Sequence, residues 1–299
     1  MSITSEILRI KSNIANAYDK CYRKGATMPA MQDSQRLPYC IESIPSESGG
    51  IPREVSYNGT YQRVQDWYTF TLPNTALDLG EKALYYAFYE DARLDNVDFN
   101  NLTNISGLSA MHYAFYGATR LSSFYAPHLE TITGQYALSY AYYNSGIQSV
   151  YLPELKEINA SGCWNYAFNS CNNLSSVYIP KLEYINGSGA LARAFAVQLN
   201  STNSLSSVEF TSLKTLRGVG SLRFLFENRT NLQTLYFPAL RSDSFGNIKT
   251  QFDNMLAGID GCTVHFPSNL QSTLSTWTSV QNGFSGTNTT ISYDLDPTS

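Results

Sequence analysis

The chain has 299 residues, 43% of them hydrophobic, which is enough apolar material for a substantial core and too much for a disordered chain. Only 15% are charged, the formal net charge is -4 and no run of Lys or Arg occurs, so we expect no nucleic-acid partner. The longest apolar runs fall short of a membrane-spanning segment, so we expect no membrane insertion. The 22 tyrosines are an unusual excess.

Residues 1–24 carry apolar side chains at alternating steps of four and three, with Ser, Lys, Arg, Asn and Glu between them. This stripe predicts a coiled-coil-like helix, and isoleucine at both seam positions favours three or four chains over two. We therefore expect self-association, with a trimer favoured, and a seam made of Ile3, Ile7, Ile10, Ile14, Ala17 and Cys21. The alternative is a single amphipathic helix that packs on the rest of the chain.

Glu6, Arg9 and Lys11 interrupt the apolar pattern of the first residues, so the continuous apolar core of a secretory signal is missing. We expect the chain to be made and kept in the cytoplasm. A linker with a short helix is expected over residues 25–50.

The N-terminal segment contains an I-x-x-A-Y helix that leads into G-A-T-x-P, followed by a short helix ending in I-x-S-I-P. It resembles the N-terminal regions of tail-associated virion proteins of phages that infect Gram-positive bacteria. That resemblance implies a place in the virion and other tail or baseplate proteins as partners. The matching residues are Ile14, Ala17, Tyr18, Gly25 to Thr27, Pro29 and Ile41 to Pro45.

Residues 51–82 contain two strand-like segments, YNGTYQRV and WYTFTL. Exposed ends of a repeat array aggregate unless a cap covers them. We expect this segment to be the N-terminal cap of the repeats that follow.

An aromatic residue in the frame Y-A-F/Y recurs at steps of 27, 27, 26, 27 and 31 residues. It falls at Phe88, Phe115, Tyr142, Phe168, Phe195 and Phe226. An aliphatic residue follows each aromatic, delayed after Phe195 by a four-residue insertion: Leu94, Leu121, Ile147, Leu174, Leu205 and Leu232.

From that aliphatic the chain is apolar at positions 1, 4 and 6, as in Leu174, Val177 and Ile179. The alternation predicts a short strand with one buried face, and a proline such as Pro180 ends it. A Leu and, three residues later, an Ile or Leu complete the frame. Each unit is predicted to be one strand plus a return segment, so neighbouring units must stack to bury their apolar faces.

The frame L-x-x-V-x-I-P-x-L-x-x-I followed by Y-A-F resembles the BspA-type leucine-rich repeats of bacterial surface proteins. The resemblance spans residues 83–267 and implies a right-handed, β-rich repeat solenoid. The repeats are longer than that family's usual unit, and the extra residues, as in Asn159 to Asn165, precede the aromatic. We expect them to form longer turns on one edge.

Residues 268–299 are expected to be the C-terminal cap, with a short helix around Leu270 to Trp277 and a final strand around Thr290 to Asp294. The cysteines are odd in number and form no C-x-x-C pair, so we interpret them as free core thiols. They are Cys21, Cys40, Cys163, Cys171 and Cys262.

The pattern gives no support for catalysis. The histidines, His112, His128 and His265, have no nucleophile motif beside them and no metal-ligand spacing. No glycine-rich phosphate loop follows a predicted strand. We expect neither an enzyme, nor a cofactor, nor a metal site.

Position 5 of each strand points away from the core, between the two buried positions. Strands about 4.8 Å apart would align seven such side chains into a stripe roughly 30 Å long. The column reads Asp98, Tyr125, Tyr151, Tyr178, Glu209, Tyr236 and His265, beside small polar residues at position 3.

Tyrosine suits a binding surface because its ring buries a large area and its hydroxyl still forms hydrogen bonds. We predict ligand binding by Tyr125, Tyr151, Tyr178, Glu209 and Tyr236. The alternative is that the stacked rings only stabilise neighbouring strands. A second aromatic set, beside the core aromatic, is expected to pack: Tyr86, Tyr113, Tyr140 and Tyr166.

The sequence therefore predicts a structural and receptor-binding component of a phage tail, attached through residues 1–45, whose solenoid contacts a host surface glycan or protein. A bacterial cell-surface adhesin or interaction module of the BspA-like class is the alternative. A third reading is a tail protein whose solenoid is a spacer without a ligand.

Overall fold

The computed structural model describes residues 54–57, 60–63, 69–72, 75–246 and 248–296. The predicted heptad helix, the linker and the phage-like segment lie outside the described residues, as do Cys21 and Cys40. For that part of the chain the predictions above stay predictions.

Short parallel strands recur along most of the described chain. An antiparallel pair, β1 (Glu54–Tyr57) and β2 (Thr60–Arg63), precedes them. The odd-numbered strands from β3 onward, together with β16, form what we call the first strand face: β3 (Thr69–Thr71), β5 (Asn96–Asp98), β7 (Ser123–Tyr125), β9 (Ser149–Tyr151), β11 (Ser176–Tyr178), β13 (Ser207–Glu209), β15 (Thr234–Tyr236), β16 (Thr263–Pro267) and β17 (Thr290–Leu295).

A second, continuous six-stranded parallel sheet forms the second strand face: β4 (Asp78–Leu79), β6 (Asn104–Ile105), β8 (Thr131–Ile132), β10 (Glu157–Ile158), β12 (Tyr184–Asn186) and β14 (Thr215–Arg217). The strands pair in register, so Ile158 lies between Ile132 and Ile185. The whole is a parallel β-solenoid of about eight turns.

The prediction of one strand per repeat was therefore incomplete, because the return segments up to β14 each contain a strand of their own. Ile132, Ile158 and Ile185, assigned to the return, are fully buried members of the second strand face. A strand of two residues is too short to leave a period-2 pattern, so alternation cannot reveal it.

The segment before each core aromatic forms a third face, the turn face, built from residues such as 80–90 and 107–117. Alternate N–H groups there donate to the next coil, as from Leu84 to Ala110 and from Tyr86 to His112, while those between them donate three residues back. Every fourth residue has a φ near +55°, as in Lys82, Tyr86 and Glu90.

The extra residues expected to form longer turns, as at residues 159–165, do form turns, and these turns are regular. These residues continue the same hydrogen-bond ladder as the other coils, with Trp164 donating to Ala190 and Tyr166 to Ala192. The extra residues of each repeat form the turn face, and the turn-face residues of successive coils are hydrogen-bonded to one another.

The core is a set of columns that run along the stack. The six predicted core aromatics are at most 1% exposed, and successive ring centroids lie 5.0–5.8 Å apart. The aliphatics that follow them are buried as well. Cys163, Cys171 and Cys262 are free and buried, as predicted.

Glycine occupies the corner between the second strand face and the turn face. A Cβ on Gly107 would lie 1.9 Å from the carbonyl carbon of Gly80, and one on Gly134 would lie 2.0 Å from the oxygen of Gly107. The backbones of neighbouring coils approach too closely here for most side chains.

The C-terminal region continues the first strand face. A short helix, α1 (Gln271–Leu274), lies within the range predicted for a helix, and a second one, α2 (Thr278–Gln281), follows that range. β17 then pairs in parallel with β16, so the last strand extends the sheet.

Candidate functional site

Three exposed tyrosines form a stacked block on the first strand face. Tyr125, Tyr151 and Tyr178 are 45%, 39% and 47% exposed, and β7, β9 and β11 hold them in register. Their ring centroids are 5.3 and 5.2 Å apart with interplanar angles of 14° and 13°. The outward direction of position 5 is as the alternation predicts.

The continuous stripe of seven residues was a wrong expectation. β11 and β13 are not hydrogen-bonded neighbours, so Glu209 belongs to a separate sheet from Tyr178. Asp98 lies on β5, which pairs with β3 and not with β7. Of the predicted binding residues, Tyr125, Tyr151 and Tyr178 lie together, while Glu209 and Tyr236 share the next sheet.

Tyr236 belongs to a second aromatic pair, because its ring stacks on His265 at 4.6 Å. The Nδ1 atom of His265 lies 2.9 Å from a carboxylate oxygen of Asp294. This hydrogen bond lowers the pKa of Asp294. The imidazole is thereby oriented by β17, at the far end of the predicted stripe.

The interruption between β11 and β13 opens a shallow cleft of about 300 Å³. Tyr178 borders one side of it and Glu209 the other, and the hydroxyls of Ser176, Ser207 and Thr211 line it. It is a polar depression that interrupts an aromatic surface.

The second tyrosine set packs, as expected, but its rings stack on one another and not in the interior. Tyr86, Tyr113, Tyr140 and Tyr166 lie on the surface of the turn face, at centroid distances of 4.7–4.9 Å, and Tyr86 is 41% exposed. Each of these residues has a φ of +55° or +56°. They form a surface column.

A second column, missed by the sequence analysis, runs beside the first. Tyr89, Tyr116 and Tyr143 stack at 4.8 and 5.0 Å, and the two columns line a groove of about 380 Å³. The signal was present in the sequence, since a tyrosine directly follows the core aromatic in three consecutive repeats. Partial burial, and then the neighbouring phenols, raise the pKa of Tyr140 to about 12.

Charged residues of the strand faces mostly pair with the next coil. Lys156 binds Glu130 at 2.9 Å, Lys181 binds Glu154 at 2.7 Å, and a third exposed pair joins Lys214 to Glu183 at 3.2 Å. Exposed pairs of this kind contribute little to stability, because water and salt screen them.

Metal-ligating groups do not cluster anywhere in the described part of the chain. Its helices are also too short or too polar to cross a membrane. The chemistry that this surface offers is aromatic contact and hydrogen bonding.

In-register parallel strands with columns of buried leucine and phenylalanine define a leucine-rich parallel β-solenoid. The sequence model described as the BspA type leucine rich repeat region matches residues 81–219 and 139–273, in six copies. The chain therefore belongs to the BspA-type leucine-rich repeat family.

A solved structure with a similar chain is that of a leucine-rich repeat protein from Bacteroides ovatus, at 16% sequence identity and a TM-score of 0.23. The similarity covers 81% of this chain and 68% of that one. No curated protein matches the chain. Members of this solenoid class usually serve as non-catalytic interaction modules, and this chain is a BspA-like module of the protein-interaction or adhesin type.

Proposed function

We propose that this chain is a receptor-binding component of a phage tail, which contacts the host surface through the tyrosine block of the first strand face. The observation that carries the binding role is the set of three exposed rings, held in register on consecutive strands. Rigid tyrosines bury large contact area at low entropic cost, which suits a recognition surface. The ligand is a surface glycan or protein of the host.

The tail assignment rests on the sequence of residues 1–45 and on its resemblance to tail-associated virion proteins. In this proposal those residues attach the chain to other tail or baseplate proteins, and the Ile3, Ile7, Ile10 and Ile14 seam joins three copies. A trimer would present three tyrosine blocks at once and raise the avidity for a repetitive surface. The chain would then be part of the virion, made in the host cytoplasm.

The test replaces Tyr125, Tyr151 and Tyr178 together with Ser. We expect binding to host cells to fall at least about tenfold, since central aromatic anchors carry much of the affinity of such surfaces. Stability should fall by only about 1–3 kcal/mol, because cross-strand pairs are lost without opening a cavity. Cell binding is measured by flow cytometry on labelled protein and stability by chemical denaturation.

The matched control replaces Tyr136 and Tyr184 with Ser, because these two tyrosines are 41% and 43% exposed but lie off the first strand face. The control variant should bind like the parent. Parental binding by the triple variant would mean that the tyrosine block is structural and would overturn the binding role.

The second candidate is a bacterial cell-surface adhesin, which the family of the repeats favours. Mass spectrometry of purified virions and of cell-surface fractions separates the two. Detection of the chain in purified virions would support the tail proposal. Detection in cell-surface fractions but not in virions would support the adhesin.

A further inference from the structure

The cleft lies between β11 and β13, which are neighbours on the first strand face but are not hydrogen-bonded to each other. A four-residue insertion after Phe195 lengthens the step between these two strands to 31 residues. The second strand face spans the same insertion and stays paired, from β12 to β14, so the pairing is lost on the first strand face alone. The N–H of Leu152 donates to Tyr178 O and that of Phe210 to Tyr236 O, but at β11 the corresponding link to Glu209 is not formed.

The first strand face is interrupted at two places, between β5 and β7 and between β11 and β13. Only the second interruption leaves an inward side chain partly exposed. At the junction of β5 and β7 the inward side chains stay covered, with Val97 at 6% and Phe124 at 0% exposure. At the junction of β11 and β13, Val177 is half-buried, although Val150 on the previous strand is fully buried. The cleft therefore has an apolar patch at its floor.

Tyr178 supplies an open aromatic face on one wall. It is the last ring of the block, with Tyr151 stacked 5.2 Å away on one side. No other ring among the described residues covers it, and it is the most exposed of the three. The tyrosines of the turn face differ, since both faces of their inner rings are covered by neighbours in the column.

Glu209 supplies a hydrogen-bond acceptor on the opposite wall. Its side chain is exposed and forms no ion pair or hydrogen bond with any residue that the structure describes. The nearby cations are committed elsewhere, Lys181 to Glu154 and Lys214 to Glu183. A free carboxylate accepts hydrogen bonds from neutral hydroxyl groups and repels anions.

The distance between β11 and β13 is too short for a peptide to insert between them as an additional strand. β11 and β13 keep Cα atoms within 8 Å of each other. A strand inserted between them would need about 9.6 Å, two strand spacings of about 4.8 Å.

We propose that this cleft binds one uncharged pyranose ring of a surface glycan. The C–H face of the sugar stacks on Tyr178, vicinal hydroxyls donate to the Glu209 carboxylate, and the hydroxyls of Ser176 and Ser207 complete the contact. The proposal rests on the proposed function in that it names the ligand class for the same face of the solenoid.

The test titrates the full chain with glucose, galactose and N-acetylglucosamine, and with sialic acid as the anionic comparator, using saturation-transfer NMR. We expect at least one neutral sugar to bind, and sialic acid not to bind. Glu209→Gln and Tyr178→Ala should each weaken binding about tenfold, as expected for loss of a charge-assisted hydrogen bond or of a stacking face.

Matched controls are Glu81→Gln and Tyr184→Ala, which remove an exposed carboxylate and an exposed ring elsewhere. Absence of binding by all three neutral sugars, equal binding of sialic acid, or unchanged binding in both cleft variants would overturn the sugar site. If both cleft variants bind sugar like the parent while the triple tyrosine variant loses host-cell binding, the sugar site fails and the proposed function stands. If the parent chain binds sugar but does not bind host cells, the sugar site stands and the proposed function fails.

Discussion

Tyr142 is the residue of the core aromatic column that carries a hydroxyl, where the other coils have phenylalanine. It is fully buried, and its hydroxyl has no hydrogen-bond partner among the described residues. Burial raises the pKa of this phenol well above its usual value. A buried hydroxyl without a partner costs about 1–3 kcal/mol of desolvation.

Tyr142→Phe should therefore raise stability, by up to about 1–3 kcal/mol, because the ring remains while the unsatisfied hydroxyl disappears. Urea denaturation followed by circular dichroism measures the change. A variant less stable than the parent would mean that the hydroxyl is satisfied in solution.

Leu174 belongs to the column of buried aliphatic residues that follow the core aromatics along the chain. It is fully buried at the first position of its strand frame. Leu174→Ala should cost about 2–5 kcal/mol through lost burial and the cavity left behind. The control is Asn173→Ala at the exposed neighbouring position, which should change the stability little. A Leu174→Ala variant with the melting temperature of the parent would contradict the strand register.

At the scale of the element, the turn face keeps bulky residues in a conformation that favours glycine. A non-glycine residue in this region costs on the order of 1–3 kcal/mol. A stacked aromatic pair stabilises the fold by about 0.5–1.5 kcal/mol, and each inner tyrosine of the column has two stacked neighbours. The hydrogen bonds between coils then hold every fourth residue of the face at a φ near +55°.

The corner glycines allow the backbones of neighbouring coils to approach closely. Gly107→Ala should destabilise the chain by about 1–3 kcal/mol or more, because its Cβ would overlap backbone atoms of Gly80 and Glu81. Thermal melting checks this. Ala160 holds a methyl group two residues after Ile158, as Gly107 follows Ile105, so Ala160→Gly is the control and should cost at most about 1 kcal/mol.

At the scale of the whole molecule, the proposed trimer depends on the heptad seam of residues 1–24. Replacing Ile7 and Ile10 with Lys should abolish the trimer, since charge at a buried seam has no partner. Light scattering gives the oligomeric state, and circular dichroism should show the solenoid unchanged. The same oligomer in the variant would contradict the coiled-coil prediction.

The sequence alone determined the period, the first strand of each coil, the buried aromatic and aliphatic columns and the family. These features depend on burial that repeats within a few residues, as in Leu174, Val177 and Ile179, so a local pattern carries them. The outward direction of Tyr125, Tyr151 and Tyr178 follows from the same alternation.

Only the tertiary structure decided which side chains share a surface. Strand pairing depends on how residues about one period apart stack, and that pairing is lost between Tyr178 and Glu209 without any change in the local pattern. The left-handed backbone that brings Tyr86 and Tyr113 to the surface is likewise held by hydrogen bonds to the next coil. Interactions between coils therefore produced the cleft and the turn face, and no single repeat contains the information for either.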